Sequence, residues 1–139
     1  MFAEALVCLA LNVYHEARDQ PFIGQVAVAQ VVMNRVRDDR YPDNVCDVVK
    51  QGPTYSWKPN FPVRHRCQFS WYCDGKSDKT PDQTAWEQAL VIAQGVHTGN
   101  LDDFVEGATH YHATYVLPEW AESKTPVVQI GDHMFYRWD

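Results

Sequence analysis

From Phe2 to His15 the chain is mostly apolar, with Glu4 and Asn12 the main interruptions, and a second apolar segment begins at Phe22. The first run predicts a core helix from Phe2 to Ala17, broken at Asp19-Gln20-Pro21, where Pro21 is placed to open the next helix. The second helix is expected over Phe22 to Arg37, with Ile23, Val26, Ala27, Gln30, Val31 and Asn34 on one face. That face carries two amides towards the interior or a cleft, and the favoured reading of Gln30 and Asn34 is as buried polar groups that find partners.

From Asp38 to Lys79 the sequence is rich in Pro, Gly, Asp, Lys and Ser, which predicts loops around a short helix near Asn44 to Lys50 and an aromatic stretch, Gln68 to Tyr72. Thr80-Pro81-Asp82-Gln83 reads as a helix start with Thr80 as N-cap, and that helix is expected to run to Gly95. Thr109 to Val116 and Val127 to Tyr136 are β-prone, and Gly131-Asp132 marks a turn between strands. An extended Thr109 to Tyr115 places His110, His112 and Thr114 on one face and Tyr111, Ala113 and Tyr115 on the other. The fold class expected is α+β, mainly helical, with a small C-terminal β-hairpin or sheet.

At 139 residues the chain suits one domain spanning 1–139. A net charge of −6, with Arg64-His65-Arg66 the only dense basic cluster, argues against nucleic acid as a partner. No run approaches the length of a membrane span, so no membrane insertion is expected. The N-terminal run has Glu4 where an export signal carries a basic region, and no small-residue cleavage site precedes His15-Glu16. Of Cys8, Cys46, Cys67 and Cys73, Cys8 reads as a buried helical thiol. At most one disulfide is expected, Cys67 with Cys46 or with Cys73.

Glu16 ends the first apolar run. A carboxyl at a helix C-terminus with apolar neighbours is held from ionising by both the macrodipole and desolvation, which makes it a candidate general acid. Burial against Tyr14, Phe69 and Trp71 would raise its pKa, whereas direct pairing with Arg18 would lower it. Arg18 is therefore expected to point away, to Asp19 or to a helix-end carbonyl.

Five segments occur in order: Tyr14-His15-Glu16-Ala17-Arg18; Gly24 to Ala29 with Asn34-Arg35-Val36; Cys67-Gln68-Phe69-Ser70-Trp71; Gly107-Ala108-Thr109-His110-Tyr111-His112; and Ile130 to Tyr136. Together they resemble the SleB/CwlJ-type cell wall hydrolases from about Leu6 to Tyr136. The resemblance implies a lysozyme-like, mainly helical domain that cuts peptidoglycan glycan strands between N-acetylmuramic acid and N-acetylglucosamine as a lytic transglycosylase, without a cofactor. It implies Glu16 as the catalytic acid and base. Gln68, Ser70, Trp71, Tyr111, His112 and Trp120 are the candidate substrate-binding residues, with Phe69 read as packing. Asp19 stands where the family usually has glycine.

A lone catalytic domain without a leader further suggests a phage endolysin, made in the host cytoplasm, released by a holin and acting as a monomer on the wall. Two competing readings remain. One is a metal-dependent amidase using His15, His110, His112 and His133, against the reading of these as structural histidines. The other is a wall-binding module without catalysis.

Overall fold

A computed structural model describes residues 2–139. Among the described residues four α-helices, α1 (Phe2–Ala17), α2 (Phe22–Val36), α3 (Val45–Val49) and α4 (Gln83–His97), supply most of the regular secondary structure. Two short β-elements, β1 (Thr54–Tyr55) and β2 (Lys58–Pro62), make a hairpin, and β3 (His110–Ala113), β4 (Thr125–Ile130) and β5 (His133–Arg137) make an antiparallel sheet in the order β3-β5-β4. Two 3-10 turns, Ser70–Cys73 and Glu119–Ser123, lie in the connections. The α+β, mainly helical expectation therefore holds, and the C-terminal element is a three-stranded sheet.

The helix α2 is buried almost all round, from Gly24 to Met33 and again at Arg35. That is why its apolar positions do not fall into one stripe. It packs against α1, α3 and α4 and touches β4, so it runs through the centre of the fold. One core cluster fills the space between the helices around Leu9, Val13, Tyr14, Val32, Val48 and Ile92 and takes in Phe69 and Trp71. A second lies beneath the sheet around Ala17, Ala27, Val31, Val105 and Phe135. Tyr111 packs against both. Its position on β3 thus places it over the seam where α1 ends.

The buried amides of α2 find partners, as expected. Gln30 donates to the Asp102 carbonyl at 2.6 Å and accepts from the Phe104 N–H at 3.1 Å. Asn34 donates to the Ala108 carbonyl at 2.9 Å. Both therefore tie the 102–108 loop to the central helix, at the wall of a small cavity that they also line.

Three expectations need correction. The cap of α4 is Asp82, whose carboxylate accepts from the Ala85 N–H at 3.1 Å, so the helix starts at Gln83 and runs past Gly95 to His97. Thr80 keeps only a carbonyl contact with Gln83 at 3.4 Å, because the Tyr14 hydroxyl accepts from the Asp82 N–H and holds that residue at the helix mouth. Two disulfides are present, Cys8–Cys46 and Cys67–Cys73. Cys8 is not a free thiol, because α3 brings Cys46 against the start of α1. Finally, the Pro-rich loop contains the β1–β2 hairpin, which alternation in the sequence did not disclose. Among the described residues no helix is long and apolar enough to cross a membrane.

Candidate active site

Glu16 lies one residue before the end of α1, half-buried, in a small cavity of about 100 Å³ lined also by Arg35, Gln68, Phe69, His110, Tyr111 and Trp120. These seven residues come from five separate stretches of chain: α1, α2, the loop after the hairpin, β3 and the Glu119–Ser123 turn. The Tyr111 hydroxyl donates a hydrogen bond to Glu16 Oε1. Tyr111 is held there by ring contacts with Phe69, His133 and Phe135 at 5.0–6.5 Å between centroids.

Desolvation raises the Glu16 pKa above its ordinary value, opposed by the Tyr111 hydrogen bond and by the charge of Arg35. The same burial, with the nearby Glu16 charge, raises the phenol of Tyr111 well above its usual range. The phenol therefore stays protonated and acts as a donor. Among the described residues Glu16 has no salt-bridge partner. Arg18 donates instead to the Tyr14 carbonyl at 3.3 Å, with its guanidinium 4.7 Å from the Tyr14 ring centroid. That is the helix-end carbonyl the sequence reading anticipated.

Arg35 is the residue that sequence reasoning passed over. It is buried, donates from Nε to the Thr109 carbonyl at 2.7 Å and from its guanidinium to Gln68 Oε1 at 3.4 Å, and lies over the rings of Tyr41 and Phe69. It thus joins α2, the residue leading into β3, and the Gln68 loop around the carboxyl. A charged residue on an otherwise apolar helix was the available signal.

The candidate substrate-binding residues divide. Gln68, Tyr111 and Trp120 line the Glu16 cavity, and Phe69 walls it as well as packing. Trp71 does not line this cavity; its indole donates to Asn12 Oδ1 at 2.8 Å and stacks on His15, and both rings face a separate groove of about 510 Å³. Tyr14 belongs to the core and to that groove, so the low-polarity wall of Glu16 is Phe69 and Tyr111 rather than Tyr14 and Trp71. Ser70 is exposed at the start of the 3-10 turn and is not part of the Glu16 wall. His112 bridges the Ala113 carbonyl at 2.7 Å and the Tyr136 hydroxyl at 2.8 Å, a structural link across the sheet.

The remaining histidines are similarly dispersed. His110 contacts Thr109 Oγ1 at 2.9 Å and packs on Trp120; burial and the charges of Arg35, Lys124 and Arg40 push its pKa down to about 4. His133 is buried beside Tyr111. Among the described residues no group of three or more His, Cys, Asp or Glu is arranged to hold a metal ion.

Comparison with known proteins follows the same lines. The spore cortex-lytic enzyme of Halalkalibacterium halodurans is 34% identical over 128 residues, covering 91% of this chain and 33% of that protein. That of Bacillus subtilis is 28% identical over 127 residues, covering 91% and 35%. The chain thus spans about a third of the length of these relatives. The catalytic domain of the germination-specific lytic transglycosylase SleB from Bacillus anthracis superposes with a TM-score of 0.66 at 28% identity, covering 96% of this chain and 93% of that one. The catalytic domain of the Bacillus cereus SleB protein gives 0.65, also at 28% identity. This chain therefore has the lysozyme-like fold of the SleB catalytic domain. Residues 19–136 match the Cell Wall Hydrolase family, a match that opens three residues after Glu16, and the chain belongs to that family.

Proposed function

We propose that this chain is a peptidoglycan lytic transglycosylase that cleaves glycan strands between N-acetylmuramic acid and N-acetylglucosamine, with Glu16 as the acid and base. The observation that carries this reading is a single carboxyl, its pKa raised by burial, in a cavity whose other lining residues include no second carboxylate. An ordinary glycoside hydrolase needs two carboxylates, one as acid and one as nucleophile or base. A transglycosylase needs one, because the substrate supplies the nucleophile.

In the reaction, protonated Glu16 gives its proton to the glycosidic oxygen, the bond from that oxygen to C1 of muramic acid breaks, and N-acetylglucosamine leaves with a free hydroxyl. The C6 hydroxyl of the same muramic acid then bonds to C1, forming the 1,6-anhydro ring, and its proton passes to the Glu16 carboxylate. No water is consumed. The 2-acetamido group is available to assist at C1. Tyr111 engages Oε1, which leaves Oε2 to carry the proton in flight. Arg35 opposes the desolvation of Glu16 and so keeps the carboxyl able to both give and accept. Gln68 and Trp120 are proposed to hold the sugar by hydrogen bonding and stacking.

Two disulfides suit action outside the reducing cytoplasm, at the bacterial wall. We take residues 1–139 as one catalytic unit acting as a monomer. The amidase alternative would require ligands that the fold leaves dispersed. Mass spectrometry of muropeptides released from purified sacculi tests the proposal: anhydro ends are expected, and reducing ends or free stem peptides in their place would overturn it.

A further inference from the structure

In a chain of net charge −6, the stretch from Lys50 to Cys73 carries Lys50, Lys58, Arg64 and Arg66 and no Asp or Glu. It contains the β1–β2 hairpin, and the pattern of that hairpin is unusual. Every residue from Ser56 to Phe61 is exposed, so β2 has no side that faces the core. Trp57 is 75% exposed and Phe61 51%. The Lys58 ammonium lies 3.9 Å from the Phe61 ring centroid and 6.0 Å from that of Trp57. Such rings contribute little to the fold, and exposed aromatic surface of this kind marks a contact site.

The hairpin is nonetheless anchored. The Val63 N–H donates to the Pro53 carbonyl and the Gln68 N–H to the Gln51 carbonyl, both at 2.9 Å, and the His65 N–H to the Cys73 carbonyl at 2.9 Å. The Cys67–Cys73 disulfide closes the loop that follows. Gly52 permits the approach, since a Cβ there would sit 2.9 Å from Cys67 Cα. Between hairpin and loop lies an open depression of about 320 Å³ walled by Phe61, Arg64, Tyr72 and Lys76. Lys76, with Asp74 and Asp78, also lines the groove that contains Trp71 and His15, the residue before Glu16. The Cys67–Cys73 loop contributes to all three concavities, with Gln68 and Phe69 on the Glu16 side, Trp71 in the groove and Tyr72 in the depression.

We infer that the β1–β2 hairpin and the depression beside it form a second peptidoglycan-binding site, which holds a strand away from the point of cleavage. Trp57, Phe61 and Tyr72 stack on sugar faces, while Lys58, Arg64 and Lys76 meet the carboxylates of the stem peptides. Charge complementarity selects the occupant: a neutral glycan needs the rings alone, whereas a strand bearing acidic peptides also needs cations, which the hairpin supplies from a stretch of chain without Asp or Glu on an otherwise anionic protein. The inference deepens the proposed function and rests on the wall being the substrate.

The test is cosedimentation of the full chain with purified sacculi, in a Glu16→Gln background so that the polymer stays intact. Trp57→Ala/Phe61→Ala is expected to weaken binding about tenfold, on intact sacculi and on chitin, a polymer of N-acetylglucosamine without carboxylates, alike. Lys58→Glu/Arg64→Glu is expected to weaken binding to intact sacculi and to leave binding to chitin, a neutral polymer, unaffected. The same pairs of substitutions in the active protein should leave kcat on short soluble strand fragments unchanged, which also shows that they fold. Sacculus binding by both variants within about twofold of the parent overturns the inference. So does parent binding to phosphatidylglycerol vesicles as tight as to sacculi and lost with the same substitutions, since the surface then serves a membrane. Hairpin-dependent binding by a protein that releases no anhydro ends upholds the site and sinks the reaction instead.

Discussion

The Tyr111 hydroxyl reaches the Glu16 carboxyl across 95 residues of sequence, from the second residue of β3 to the last turn of α1. Each member of the pair alters the other: burial raises the carboxyl pKa, the hydroxyl restrains that rise, and the carboxylate charge raises the phenol. The pair is therefore a tuned acid with a fixed donor, joined at the seam between the two cores.

Replacement of Glu16 by Gln keeps the size and much of the hydrogen bonding and removes the transferable proton. Release of anhydro-muropeptides should fall by about 10²–10⁴-fold, the usual contribution of a positioned acid-base group, while the thermal midpoint and sacculus binding stay close to those of the parent. Retained lytic activity in this variant would place the chemistry elsewhere.

The phenol hydroxyl can be removed without disturbing the ring. Since its hydrogen bond holds the Glu16 pKa down, Tyr111→Phe should raise it. The donating form then persists to higher pH, and the alkaline limb of the rate profile moves upward. At the optimum, loss of the hydrogen bond should lower kcat about tenfold. A profile superimposable on that of the parent would show that the hydroxyl does not act on the carboxyl.

Arg35 acts on the same carboxyl through charge and also ties Thr109 and Gln68 to α2. Arg35→Gln should move the alkaline limb in the same direction as Tyr111→Phe. Unlike that variant, it should also destabilise the fold, by about 2 kcal/mol for a buried charged donor lost against a carbonyl. Denaturant unfolding together with a pH profile separates the two effects.

His110 gives the fold a pH dependence of its own. The unfolded chain takes up a proton on this residue as pH falls through the model-compound value of 6.5, whereas the folded chain resists protonation until about 4. Between those values the unfolded state binds more protons, so stability falls as pH falls. His110→Gln should flatten that part of the midpoint-against-pH curve. An unchanged slope would show that His110 titrates normally.

The Cys8–Cys46 bridge closes a loop with a sequence separation of 38. Replacing both cysteines by Ala should lower stability by about 2–4 kcal/mol through the greater freedom of the unfolded chain. The Glu16 cavity lies about two turns further along α1 than Cys8 and is lined by neither cysteine, so the fold that survives should retain activity at low temperature.

The helices and the C-terminal strands were legible because their signals are local, whereas the β1–β2 hairpin, with no buried face to impose alternation, was not. The apolar run that forms α1, the Pro21 break, and the alternation of His110, Tyr111 and His112 across β3 depend on neighbours a few residues away. The place of Glu16 at the end of a buried helix was legible for the same reason, as was the escape of Arg18 to a helix-end carbonyl. Tertiary structure decided the rest. It chose Asp82 over Thr80 as a cap through the Tyr14 hydroxyl, paired Cys8 with Cys46, sent Trp71 and His112 away from the carboxyl and brought in Arg35. Those outcomes depend on which distant segments meet around a shared core, and neither periodicity nor spacing along one strand of chain carries that information.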